Sequence, residues 1–471
     1  MNSGETGRKQ IDKKRKRRTE ADKDHSRAGT VVFAVLCLIP ILATVLYGAV
    51  DSGTWVLISI LAGVIALAWL ADGWKGEGLW INRSLLLVPV AGLIFIGLIQ
   101  LVPVFSSGIS TEILPTQFAQ PISLDPYSTR FFVIRLFVYF LFLAAALTYL
   151  SSDKRLKRLT IIVICLCAVT AFFGILQFLA KPEAIYGLRE TPNAVPFGPF
   201  VNQHHFAAFS ELGFGLAVGL IAGRGVKRDK MLLLAVAALM MIVGALLTGS
   251  RGGLLSYVGI AAFILLAVSR LEARNGRPDG KRSNFQLAAM AGAAIAAFVM
   301  IVGVVIFVGG DNSLARYAGT GGVPADISNG RIHFWTTALR IFADHPILGA
   351  GYDAFGVAFT KYDAWNGVFR VEQAHNDYLQ TLADAGVAGF VCVVGFIFLL
   401  YKKGIDVIAA AKDPFRSSAA IGALAGCTGI LIHSFFDFPL RTPVNAFLFL
   451  LLAAIATVTI STGHGRNSTQ H

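Results

Sequence analysis

Apolar residues fall in long, nearly unbroken blocks along most of this chain, without the short periodic patterns of a soluble fold. Twelve blocks run at about 30–50, 54–71, 84–103, 129–150, 159–180, 204–222, 231–248, 253–269, 285–309, 385–401, 417–434 and 443–460. At about 17–25 residues each, they match the length that crosses a bilayer as a helix. Inside hydrocarbon a helix satisfies its own backbone hydrogen bonds, so the pattern predicts an all-α polytopic membrane protein with about twelve transmembrane helices. Blocks 231–248 and 253–269 are parted by little more than TGSRGG at 248–253, which predicts a tight helical hairpin.

One polar interval breaks the series. From about 310 to 384 no block reaches membrane length, yet Ile332, Trp335, Leu339 and Phe342 recur at helical spacing. A short amphipathic helix on the membrane surface is expected there, ended by Pro346 and the Gly349/Gly351 pair. A second helical stretch is expected over 371–385, placing Glu372, His375 and Asn376 within one turn, with Gly386 stopping it before the next span. The chain therefore divides into a basic tail (1–29), nine spans (30–309), a large outer loop (310–384), three spans (385–460) and a short tail (461–471).

Composition agrees. Hydrophobic residues make up 55% of the 471 and charged residues 15%, where a soluble chain carries about 25% charged residues. The formal charge of +13 suggests nucleic acid until its distribution is read. The KKRKRR run at 13–18 lies beside the first apolar block, where a cytoplasmic anchor is the simpler explanation. With the N-terminus in the cytoplasm, 30 of the 41 Lys and Arg fall on that side, which fits an even number of spans and puts both termini in the cytoplasm. The 310–384 loop then faces outward, as do Arg251 and the 202–205 region. Membrane lipids are expected partners; nucleic acid is not. The five cysteines (Cys37, Cys165, Cys167, Cys392, Cys427) all lie in apolar blocks, so they read as small membrane-core residues and not as a disulfide or zinc framework.

The candidate chemistry gathers on the outward face. His375 heads it, because an imidazole is readily tuned to accept a proton near neutral pH. Glu372 is expected to orient the ring, against the plainer reading of a packed or capping histidine. Arg251 stands at the outer start of a span with two glycines behind it, where close approach and free helix N–H groups suit a phosphate or diphosphate; the plainer reading is an arginine that snorkels to the interface. Arg331 offers a second planar fork, and two forks suit a diphosphate better than two ammonium groups do. Asn202, His204 and His205 open a span from the outer side and read as substrate contacts at most. His433 and Asp437, four apart, read as a structural hydrogen bond. Trp335 reads as a surface anchor before a sugar-stacking ring. No metal-ligand cluster, P-loop or dinucleotide fingerprint is present in the sequence, so no cofactor or metal is expected.

Four stretches in order resemble the O-antigen ligase family, which includes bacterial O-antigen and exopolysaccharide polymerases and protein O-oligosaccharyltransferases. They are FVNQHHFA (200–207), TGSRGG (248–253), the run from Arg331 to Phe355 with Trp335, His345-Pro346 and Gly349-Ala-Gly351, and HNDYLQ (375–380) followed by AGVAGF. The resemblance implies a GT-C-like glycosyltransferase of the bacterial inner membrane, metal-independent and inverting. It implies a polyprenyl-diphosphate-linked glycan as donor and lipid A–core, a glycan or another hydroxyl as acceptor. His375 would activate that hydroxyl, Arg251 and Arg331 would hold the diphosphate, and Glu372, Asn376, Asn202 and Trp335 would support them. The segment PISLDPYSTR at 121–130 is more like the polymerases of the family than its ligases. A transporter is the reading from another class, but its charged residues should sit near the midplane on repeated broken helices. Here they gather at the outer edge.

Overall fold

The structure, a computed structural model, describes residues 26–75, 81–106, 119–150, 152–192, 194–274, 330–363 and 371–459. The expected span at 285–309, the loop residues 310–329 and 364–370, and nearly all of both tails lie outside the described residues.

Thirteen α-helices are described: α1 (Arg27–Val45), α2 (Ser52–Lys75), α3 (Leu87–Gln100), α4 (Pro126–Tyr149), α5 (Asp153–Ala180), α6 (Gln203–Ala222), α7 (Arg228–Leu247), α8 (Arg251–Arg274), α9 (Arg331–Asp344), α10 (Phe355–Tyr362), α11 (Asp377–Ala410), α12 (Pro414–His433) and α13 (Pro443–Thr457). Among the described residues nine are long and apolar enough to cross a membrane, and α3 and α13 are shorter apolar helices. Every expected block within the described residues is thus an apolar helix. One departure is a small antiparallel pair between α3 and α4, β1 (Pro103–Ser106) with β2 (Ala119–Pro121). Large side chains such as Leu67, Leu232 and Val169 are about two-thirds exposed, which suits a surface solvated by lipid.

The tightest crossing brings α6 against α12. A Cβ on Gly219 would stand 2.2 Å from Gly422 Cα, and one on Gly215 would stand 2.4 Å from Gly426 N. Two glycines four apart on each helix therefore let the backbones touch, a packing favoured where lipid supplies no hydrophobic drive between helices. One turn before Gly215 this places Glu211 beside the last residue of α12, His433.

The expected hairpin at 248–253 is corrected. Only Thr248, Gly249 and Ser250 lie between α7 and α8. The two helices splay, α7 packing on α5 and α6, and α8 on α12 and α6. Gly252 and Gly253 belong to the first turn of α8. A Cβ on Gly252 would meet His433 Cδ2 and Phe436 Cβ at 3.1 Å, so this glycine admits a neighbouring element of the protein.

The second helical stretch is also corrected. Residues 371–374 are not helical and α11 begins at Asp377. Asn376 is its N-cap, accepting from the N–H groups of Tyr378 and Leu379, both at 3.0 Å. Gly386 does interrupt the helix (φ 62°, ψ −164°), but α11 resumes and runs on to Ala410. The backbone groups freed by the break are taken up by residues 346–351. Val387 and Ala388 donate to the Pro346 and Ile347 carbonyls at 2.8 and 3.1 Å, while Ala350 and Gly351 donate to the Ala383 and Asp384 carbonyls at 2.8 and 3.1 Å. Buried backbone groups need such partners, and the break is completed by the segment clasped into it.

The amphipathic helix forms as expected, as α9. It buries Thr337, Ala338 and Ile341 against the protein and exposes Ile332 and Leu339 on the opposite stripe.

Candidate active site

The start of α11, the starts of α6 and α8, the end of α12 and the turn after it meet at one end of the bundle. His375 sits directly before the Asn376 cap in a left-handed backbone conformation (φ 51°). Outside glycine and a few polar residues that region is costly and needs surrounding support. Asn376 supplies some of it by donating its side-chain N–H to the Phe435 carbonyl at 3.1 Å, and Asp377 N–H donates to the Ser434 carbonyl at 2.9 Å. The turn after α12 is thereby tied to the segment that presents His375.

That turn supplies the partner of the imidazole. His375 Nδ1 lies 3.0 Å from Asp437 Oδ1; the His375 side chain is 32% exposed and that of Asp437 only 2%. A carboxylate can only accept, so Nδ1 carries a proton, and in the neutral ring Nε2 then keeps its lone pair. Burial pushes the Asp437 carboxyl up, but the His375 hydrogen bond and the neighbouring His205, His375 and His204 outweigh it and hold the group well below the usual carboxylate range. Phe438 meets the His375 and His205 rings edgewise, at 4.8 and 4.9 Å between centroids, and fixes the spacing between them.

The expected orienting group was Glu372, and this is corrected. Glu372 lies in the non-helical approach to His375, with its carboxylate over Gly356 at the start of α10. Three residues of separation align two side chains only on a helix, and 371–374 is not helical. The separate expectation for His433 and Asp437 changes as well, because their side chains have different partners. Asp437 serves His375, while His433 Nδ1 lies 2.7 Å from Glu211 Oε1.

Arg251 is the first residue of α8 and is exposed. Its neighbours on both sides touch the same imidazole, Ser250 Oγ at 3.3 Å from His433 Nε2 and Gly252 packed on the ring edge. Arg331 opens α9 after Gly330, and its charge acts on both His204 and His433. Arg251 therefore borders His433 through its two chain neighbours, while Arg331 acts on the same ring only through its charge. Asn202 caps α6, accepting from His204 N–H at 2.8 Å. Trp335 is half-buried on α9, with its indole nitrogen buried and unpartnered among the described residues.

A second charged cluster flanks the first and was not foreseen. Arg441 donates to Asp353 at 2.9 Å and to Asp384, and Asp353 also faces Arg135 at 3.9 Å. Burial would weaken the Arg441 charge, but Asp384 and Asp353 more than restore it. This network locks the 349–353 segment and the first part of α11 onto the turn carrying Asp437. One sequence signal for the unforeseen residues was available: Glu211 is the only acid in its apolar block, and an ionisable group inside a span marks a functional candidate.

Residues 236–394 match the family model described as O-antigen ligase. The matched stretch holds Arg251, Arg331, Trp335, Glu372, His375 and Asn376, while Asn202, Glu211, His433 and Asp437 lie outside it. No curated protein matched the chain. The chain is a multi-pass α-helical membrane protein with an O-antigen ligase family domain at residues 236–394.

Proposed function

We propose that this protein is a membrane glycosyltransferase of the O-antigen ligase type, moving a glycan from a polyprenyl diphosphate carrier to a hydroxyl of lipid A–core at the outer face of the bacterial inner membrane. His375 is the base. Its Nε2 takes the proton of the acceptor hydroxyl as that oxygen bonds to the anomeric carbon, and the bond from that carbon to the diphosphate breaks on the opposite side. A single displacement inverts the configuration. Asp437 keeps the proton on Nδ1 and stabilises the imidazolium that forms. Arg251 and Arg331 hold the departing diphosphate, whose charge is the main thing to be stabilised, so the step needs no metal. Glu372, Asn376, Asn202 and Trp335 are supporting residues, Asn376 and Asn202 through the helix starts they cap. Twelve spans, a GT-C-like architecture, cytoplasmic termini and an outward 310–384 loop complete the reading.

The observation that carries it is a one-third-exposed imidazole held by a buried carboxylate, 3.0 Å apart, with Arg251 bordering the neighbouring His433. A second reading keeps the chemistry and changes the acceptor: a polymerase joining lipid-linked repeat units, favoured by the polymerase-like segment at 121–130.

Deletion of the gene in the native host, complemented with wild type or His375→Ala, tests both. A ligase leaves bare core and accumulated lipid-linked polymer; a polymerase leaves core capped by single repeats and no polymer. His375→Ala at wild-type abundance is expected to behave as the deletion, since loss of a general base costs about 10²-fold or more. Full complementation by that variant would remove His375 from the mechanism.

A further inference from the structure

The mechanism above leaves the Glu211–His433 pair unused. Both side chains are at most 1% exposed, and their atoms lie 2.7 Å apart. Burying such a pair in a membrane protein is expensive, and apolar residues of similar volume would serve stability as well or better. Its surroundings suggest what else it does. His433 Nε2 meets Ser250 Oγ at 3.3 Å, and Ser250 in turn caps α8 by accepting from Gly253 N–H at 3.2 Å. Gly252 packs flush on the ring. The residue between these two contacts is Arg251.

We infer that Glu211 and His433 are positioning residues for the anion clamp: Glu211 orients the His433 ring, and His433 holds Ser250 and Gly252 so that the Arg251 guanidinium is presented to the diphosphate. The inference rests on the donor reading given above and deepens it. The Glu211–His433–Ser250 order resembles a nucleophilic triad, but Ser250 is 3% exposed and its oxygen is engaged as a helix cap. It does not reach a substrate. The device is a brace that works through its neighbour.

The test uses purified full-length protein in detergent, with geranylgeranyl diphosphate as probe and calorimetric titration as readout. Wild type is expected to bind. His433→Gln and Glu211→Gln are each expected to weaken binding about tenfold, as residues coupled through one contact network do. Neither should weaken it further in an Arg251→Ala background, because the brace acts only through that arginine. Ser250→Ala should behave like His433→Gln, and Ser250→Thr, which keeps the oxygen, should restore binding. A role in folding alone predicts the opposite: losses that multiply with Arg251→Ala. Multiplied losses, or unchanged binding by His433→Gln, overturn the positioning role while leaving the donor reading intact. No binding by wild type overturns the donor reading and this inference with it.

Discussion

A histidine whose ring nitrogen is held by a buried carboxylate behaves differently from one only packed against a neighbour, and His375 is of the first kind. Its Nδ1 faces Asp437 at 3.0 Å, and the same Asp437 oxygen also accepts from Phe438 N–H at 2.9 Å. Asp437→Asn keeps the shape but frees the ring to adopt the other tautomer, which moves the proton onto the nitrogen meant to act as base. Transfer is expected to fall about 10- to 100-fold, less than for His375→Ala, as measured by single-turnover transfer in membranes. The carboxyl also makes a pH prediction. Its native pKa lies below the unfolded value of about 3.9, so the stability it contributes is complete above that value and is lost as pH falls through the native one. The difference in Tm between wild type and Asp437→Asn should be widest above about pH 5 and close on acidification below about pH 4. A difference that widens toward acid would mean that the carboxyl is not held down.

At the scale of elements, the break in α11 sets where His375 stands. Gly386 occupies a backbone region open in practice to glycine alone, and a Cβ there would lie 2.4 Å from the Ile347 carbonyl. Gly386→Ala is expected to cost about 2–3 kcal/mol or more, read as a lowered Tm and weak folding into membranes. Wild-type stability in that variant would show that the clasped segment is not what completes the helix. Most elements were legible in the sequence, because a block of membrane length has few alternatives to a helix. The amphipathic period of α9 was equally plain, and so was Gly386 as an interruption. The partner of His375 was not. Glu372 is three residues away and Asp437 is 62, and the ties from Asn376 to Phe435 and from Asp377 to Ser434 bring the distant acid onto the ring. Local spacing misleads where the chain is not helical, as at 371–374. The Arg441 network shares this cause, since its acids come from the clasped segment and from α11, distant elements joined only by packing.

At the scale of the whole molecule, the site occupies one end of the bundle and a concentration of exposed basic residues the other. Lys154, Arg158, Arg224, Lys227, Arg228, Lys230, Lys402 and Lys412 are exposed where α4 meets α5, α6 meets α7 and α11 meets α12. Cationic loops are retained on the cytoplasmic side during insertion, so this asymmetry predicts that the end bearing His375 faces outward. The orientation decides the chemistry, because it determines which pool of lipid-linked glycan reaches the arginines. In a variant lacking the five native cysteines, Lys361→Cys on the exposed part of α10 and Lys227→Cys between α6 and α7 report the two sides. An impermeant maleimide is expected to label Lys361→Cys in intact spheroplasts and Lys227→Cys only after the membrane is opened. The reverse pattern would put His375, Arg251 and Arg331 in the cytoplasm, beside carriers still being assembled. A base and an anion clamp there would serve the building of a repeat unit and could not serve its transfer from a finished, flipped carrier. Labelling on the expected sides leaves the outward donor as the one within reach of the clamp.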